Sequence, residues 1–178
     1  MSTIFLRALE LDDLDRLHQW HNDPDLYNTL IGTFRCISRD AEEEWLRKRQ
    51  SFSPNEINLA ICLVSDSQHI GNIYLRNIDW ISRHAELHVF IGDKQNRSQG
   101  FGQEAVRQII IYAFNELGLH RLHLLVLAEN LPAIHIYEKC GFHVEGRLRS
   151  HVYKAGEFKD VLFMGVSTED LAQTEWGV

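Results

Sequence analysis

The 178-residue chain holds only three prolines, three cysteines and two methionines, and it has no surplus of basic residues. Each scarcity closes off a class of protein. Cys36, Cys62 and Cys140 form no C-x-x-C pair and leave an odd count, which excludes a disulfide framework and a thiolate zinc knuckle. Eighteen Lys and Arg stand against 25 Asp and Glu, a formal net charge of −7, the wrong sign for a general nucleic-acid binder. No run approaches the roughly 20 uncharged apolar residues that span a bilayer. The opening Met1-Ser2-Thr3-Ile4-Phe5-Leu6-Arg7 lacks the basic segment and long apolar stretch of a secretory signal. Ten histidines include no H-x-x-E-H or H-E-x-x-H spacing, so no metal is expected. What is left is a soluble, cytoplasmic protein with unpaired thiols that takes neither nucleic acid nor membrane as partner.

The chain is the length of one ordinary domain, and it shows no repeat, low-complexity tract or Pro/Gly-rich linker. A single domain over 1–178 is expected, with its core over 3–167 and a C-terminal tail over 168–178. Thr3 to Arg7 reads as a first strand. Leu14, Leu17 and Trp20 have helix spacing within Asp12 to Trp20, and Asn22-Asp23-Pro24 stops that helix. Asp40 to Phe52 is a second helix, with acids in its first turn and Arg47, Lys48 and Arg49 near its last. Ile57 to Val64, His69 to Asn77 and Ala85 to Ile91 read as an antiparallel meander. Gly102 to Leu117 carries the strongest apolar stripe, Ala105, Val106, Ile109, Ala113, Phe114 and Leu117, and Gly118 caps it. His120 to Leu127 is apolar enough for a strand buried on both faces. A short helix follows Asn130 and ends at Gly141, and a hairpin turns at Lys154-Ala155-Gly156-Glu157. This order predicts an α+β domain with a mixed, mostly antiparallel sheet.

Residues 89 to 105 carry the chemistry. A strand passes through a polar loop to Gly100 and Gly102, then into the strong helix. Glycines let backbone approach a ligand, and the free N–H groups of a first helical turn make an anion site suited to a pyrophosphate. Gly100-x-Gly102-x-x-Ala105 also satisfies a dinucleotide fingerprint, with Glu129 as its ribose acid. Three features weigh against that reading. A polar loop with Arg97 separates strand from glycine, the segment follows an antiparallel meander, and Glu129 lies beyond the usual spacing of about 20 residues.

Arg97-Ser98-Gln99-Gly100-Phe101-Gly102 resembles the Q/R-x-x-G-x-G/A coenzyme A signature of the GNAT superfamily of N-acetyltransferases. Asn130 to Phe142 is similar to its second motif, N-x-x-A-x-x-x-Y-x-x-x-G-F. The closing Tyr153 to Val161 resembles the hairpin of the branch with spermidine and ribosomal-protein N-terminal acetyltransferases. The resemblance implies one N-acetyltransferase domain with helices on both faces of the sheet and splayed central strands, Leu87 to Ile91 and Leu122 to Leu127. It implies acetyl-CoA as cosubstrate, held by Val89, Phe90, Ile91, Arg97, Ser98, Gln99, Gly100, Phe101, Gly102, Gln103, Asn130, Ala133 and Tyr137. Ser98 and Gln99 replace the usual Gly-Lys pair, so a lysine contact to phosphate is missing.

Under the same resemblance Tyr137 faces the thioester sulfur as general acid and Glu86 is the base. A phenol near pKa 10 is a weaker acid than a thiol near 8.5, so a hydrogen bond to the departing sulfur can matter as much as proton transfer. The acceptor amine is a small molecule such as a polyamine or amino sugar, or a ribosomal-protein N-terminus. Trp20, Tyr27, Phe34, Trp45 and Trp80 could line its pocket, and the acids of the first third could draw a cation in. The closing hairpin could pair across a homodimer. A non-catalytic CoA-binding regulatory module and a nicotinamide-dependent oxidoreductase are the rival readings.

Overall fold

The computed structural model describes residues 2–172. Seven strands, β1 Ile4–Ala8, β2 Ile57–Leu63, β3 His69–Asp79, β4 His84–Ile91, β5 Arg121–Leu127, β6 His143–Lys154 and β7 Glu157–Ser167, form one sheet. Its order is β1-β2-β3-β4-β5-β7-β6. Every neighbouring pair is antiparallel except β4 and β5 at the centre. The helices are α1 Leu14–His21, α2 Pro24–Thr29, α3 Arg39–Gln50, α4 Phe101–Ile111, α5 Leu131–Lys139 and α6 Thr168–Leu171.

Side-chain alternation on β2 and β3 divides the molecule into two cores. Ile61, Ile73 and Leu75 face one way and pack with Ala105, Val106, Ile109 and Ile110 of α4 and Ile134 and Tyr137 of α5. Ala60, Cys62 and Tyr74 face the other way and pack with Leu14, Leu17 and Trp20 of α1, Leu26 of α2 and Leu46 of α3. Helices therefore cover both faces of the sheet, and each face has its own chemistry.

Local sequence explains most element ends. The Ser38 hydroxyl accepts the Ala41 amide and opens α3. Ala155 and Gly156, both at positive φ, make the two-residue turn between β6 and β7. Four expectations change. Asn22-Asp23-Pro24 ends α1 but also starts α2, because the Asp23 carboxylate accepts the Asp25 amide and Pro24 needs no partner in a first turn. The long helix is α-helical only to Ile111 and widens into a π turn over Tyr112–Glu116. On β5, Leu122, Leu124 and Val126 are buried, but Arg121, His123 and Leu125 are only half-buried, so one face is open. Finally, Leu171 of α6 is fully buried, so packing continues past Ser167, where the tail was expected to begin. The remainder of that tail, 173–178, lies outside the described residues.

Candidate active site

Strands β4 and β5 stay together for only three residue pairs, His84↔Arg121, Ala85↔Leu122 and Glu86↔His123. From Leu87 and Leu124 onward they part, while each keeps its outer neighbour: β4 continues on β3 to Ile91, and β5 on β7 to Leu127. The splay is thus two residues shorter on β5 than expected, because Leu122 and His123 are still paired. The Gly92 amide donates to the Ile70 carbonyl at 2.9 Å, which sets the alternation of the β3–β4 ladder. Glu86, His88 and Phe90 turn their backbone groups toward β3, so Leu87, Val89 and Ile91 turn theirs into the gap.

Beyond the gap, Gly100 takes φ +87 as N-cap of α4, and a Cβ there would meet nothing within 4 Å. Among the described residues no side chain caps this helix, so the amides of Phe101, Gly102 and Gln103 are open. Phe101 packs its ring on the first core, and the Gln103 carbonyl accepts the Cys140 thiol at 3.7 Å, which ties α4 to α5. Glu104 would place an anion close to this cradle, but its carboxylate is spent on the start of β1. It accepts the Thr3 amide at 2.9 Å, the Ile4 amide at 3.3 Å and both hydroxyls of Ser2 and Thr3.

The loop between β4 and α4 is built from inside. The Arg97 guanidinium donates to the carbonyls of Ile91 and Gly92, each at 2.9 Å. It holds the end of β4 rather than standing free beside the cradle. Ser98 sits at φ +61, a left-handed conformation that glycine adopts at no cost. The Gln99 amide donates to the Gln95 carbonyl at 2.6 Å.

Tyr137 lies on α5 with its ring buried against Phe142, centroids 5.8 Å apart. Its hydroxyl makes no hydrogen bond among the described residues. Burial, and then the neighbouring Cys140, push the phenol well above its ordinary range. Asn130 caps α5 through the Ala133 amide at 3.3 Å, and its own amide donates to the Thr29 carbonyl at 3.0 Å, which anchors α2.

On the opposite face of the sheet, Glu86 holds two partners. One carboxylate oxygen lies 3.0 Å from Nε2 of His88, and the other accepts the Asn77 amide at 3.0 Å. Asn77 reaches it from a bulge in β3, at φ +51, where the register with β4 slips between Arg76 and Asp79. His88 and Asn77 escaped the sequence reading. The period of 2 that places His88 on the same face as Glu86 was the available signal; the bulge left none.

The aromatic residues expected in one acceptor pocket divide into groups: Trp20 and Trp45 pack in the second core, Trp80 stands at the surface, and Tyr27 and Phe34 line a cavity. Trp20 is buried in the second core, edge-on to His69 at 4.8 Å. Trp80 is half-exposed and donates to the Pro54 carbonyl. Trp45 packs edge-on to His21 at 5.2 Å, and Nδ1 of that histidine lies 2.8 Å from the buried Glu42 carboxylate. Tyr27 and Phe34 line a cavity of about 180 Å³ together with Tyr153 and Lys154 of the hairpin. Lys154 pins it by donating to the carbonyls of Tyr27 and Gly32. Among the described residues no group of three or more His, Cys, Asp or Glu could hold a metal ion, and no helix is long and apolar enough to cross a membrane.

Residues 3–143 match the protein family described as acetyltransferase (GNAT) domain. The chain is 30% identical to the spermidine N(1)-acetyltransferase of Vibrio cholerae over 90% of each protein. It is 28% identical to the L-amino acid N-acetyltransferase AaaT of Escherichia coli K12, over 92% of this chain and 98% of that one. The crystal structure of spermidine N-acetyltransferase from Vibrio cholerae in complex with CoA and spermine superimposes with a TM-score of 0.88 at 29% identity, covering 96% of this chain and 98% of the other.

Proposed function

Because the chain belongs to the GNAT family of acetyltransferases, we propose that it moves an acetyl group from acetyl-CoA onto the primary amine of a small cationic molecule, a polyamine first among the candidates. The observation that carries the reading is the parting of β4 from β5 beside the uncapped start of α4. A sheet gives up backbone pairing at its centre only where something else takes up those groups. An extended amide-bearing arm fits the gap, and a pyrophosphate fits the helix start.

Bound acetyl-CoA would supply an activated thioester; the residues do the rest. Open amides of Phe101, Gly102 and Gln103 meet the phosphates, and Val89 and Ile91 offer backbone groups to the arm. Tyr137, on the α4–α5 face, donates a hydrogen bond to the departing sulfur. Its raised pKa keeps the phenol protonated through the working range, so hydrogen bonding rather than full proton transfer is its contribution. The acceptor's proton leaves on the other face, beside Glu86 and His88. Acid side and base side are thus separated by the sheet itself.

The acceptor class rests on three consistent features: the net charge of −7, the buried Glu42 carboxylate beside His21 and Trp45, and the kinship with an enzyme named for spermidine. The same reading makes the reaction cytoplasmic, in keeping with three free cysteines. The test is thiol release from acetyl-CoA with spermidine, spermine, free amino acids and ribosomal protein offered separately. Turnover of polyamines supports the proposal. Turnover confined to ribosomal protein would exclude the small-molecule acceptor, and CoA binding without turnover of any amine would leave a regulatory module.

A further inference from the structure

An ammonium has no lone pair, so the acceptor must lose a proton before it attacks, and two groups on β4 face that task. We infer that His88 takes this proton, while Glu86 positions the imidazole without accepting the proton itself. The inference rests on the acetyl-transfer reading and assigns a step within it.

Three observations separate the two groups. First, position: pairing between β4 and β5 ends at Glu86↔His123, so His88 is the next residue on that face and the first beside the open gap. Second, exposure: the His88 side chain is 48% exposed and that of Glu86 only 19%. Third, occupancy: both oxygens of Glu86 are taken, one by His88 and one by Asn77 from its bulge, whereas Nδ1 of His88 has no partner among the described residues. With Nε2 3.0 Å from the Glu86 carboxylate, the tautomer that carries its proton on Nε2 is the favoured one, which leaves the lone pair on Nδ1.

The surroundings suit a base that must be neutral before it works. The groups around His88 are Glu86 on its own strand, Tyr74 and Arg76 on β3, and His123 beside Glu86 on β5. Burial lowers the proton affinity of the imidazole, Glu86 raises it, and Arg76 lowers it again; the net direction is down. Arg76 is itself engaged by Glu56 at 2.8 Å and lies over the Tyr74 ring, which leaves Glu86 to the histidine.

One N–H proton of the ammonium passes to Nδ1 of His88, and the amine lone pair forms the new C–N bond. The C–S bond breaks with its electron pair on sulfur, held by the Tyr137 hydroxyl. The second N–H proton ends on that sulfur. The imidazolium, stabilised by Glu86, returns its proton to solvent through its exposed edge.

The test uses the full chain as wild type, His88→Gln, His88→Ala and Glu86→Gln, with acetyl-CoA and the best amine of the panel. Melting temperature and CoA affinity are measured on each, so that misfolding or a lost cosubstrate is seen separately. His88→Gln is expected to lower kcat by about 10²-fold or more and to remove the acid limb of the kcat/KM profile. Added imidazole restores part of the rate to His88→Ala. Glu86→Gln keeps the acid limb but moves it to lower pH, with a smaller loss of kcat, as expected when an anion beside an imidazole is neutralised. A His88→Gln enzyme that retains rate and acid limb overturns the inference, and so does loss of the limb in Glu86→Gln alone. A wild type that turns over no amine would sink the acetyl-transfer reading instead.

Discussion

A methyl group placed on Gly92 would sit 2.2 Å from Cδ2 of Trp20. The glycine follows the last residue of β4, and the indole is one of the three buried side chains of α1, so this close approach sets how near the first helix lies to the strand that opens the gap. Trp20 is held from two further sides, by His69 at 4.8 Å and Phe90 at 6.1 Å, and has nowhere to retreat.

Gly92→Ala is therefore expected to push α1 outward. Overpacking of this kind costs about 1–3 kcal/mol, which for a domain of this size lowers the melting temperature by roughly 2–12 °C. The CoA affinity should fall with it, since the Gly92 carbonyl is one of the two that Arg97 grips. A melt unchanged to within a degree would show that the indole can move after all.

Tyr137→Phe removes only an oxygen from a ring that stays packed against Phe142. Loss of one donor to a developing negative charge costs about 10²-fold or more in kcat, with CoA affinity and melting temperature unchanged. Steady-state kinetics beside calorimetric CoA titration checks this. Equal losses in turnover and CoA affinity would make the residue a packing element.

Two substitutions in the β4–α4 loop should act in different currencies. Ser98→Gly relieves a left-handed residue that costs about 1–2 kcal/mol, offset in part by about 0.5–1 kcal/mol of glycine's extra entropy, so a small rise in stability is expected. Gln99→Lys adds a cation beside the helix start and should tighten CoA binding at low salt. The gain should fade as salt shortens the Debye length toward about 3 Å near 1 M. Tighter binding that ignores salt would argue against a phosphate contact.

Asp13 is buried at 3% exposure and takes both Nη groups of Arg7 at 2.7 Å, with Nδ1 of His69 at 3.0 Å. Burial opposes its ionisation, but the hydrogen bonds from Arg7 and the Glu10 amide, with the His69 ring close by, outweigh it and hold the carboxyl far below the usual carboxylate range. A depressed folded pKa stabilises above the unfolded value of 3.8 and loses that contribution as pH falls toward the folded one. Asp13→Asn should cost about 3–5 kcal/mol at neutral pH, because it leaves Arg7 and His69 without their anion. Below about pH 4 the stability of the wild type should drop more steeply than that of the variant. Parallel acid transitions measured by circular dichroism would contradict this.

Much of this protein is written locally in its chain. The apolar stripe from Ala105 to Phe114 faces the core as its spacing required, Asn130 caps α5, and Gly100 opens α4 with free amides. These features depend on residues a few positions apart, so propensity and period suffice to read them. The family could be recognised for the same reason, since its two motifs are each contiguous.

Folding alone decided the rest. Whether Arg97 would face a ligand or its own strand depended on where the carbonyls of Ile91 and Gly92 point once β4 has paired with β3. The partner of Glu86 depended on a bulge that carries Asn77 over from another strand. The expected aromatic pocket did not form as a unit, because Trp20 and Trp45 are drawn into the second core while Trp80 stands half-exposed at the surface. Register, bulges and the direction of a long side chain are settled by contacts between segments far apart in sequence, and no local pattern encodes a contact whose other half lies elsewhere in the chain.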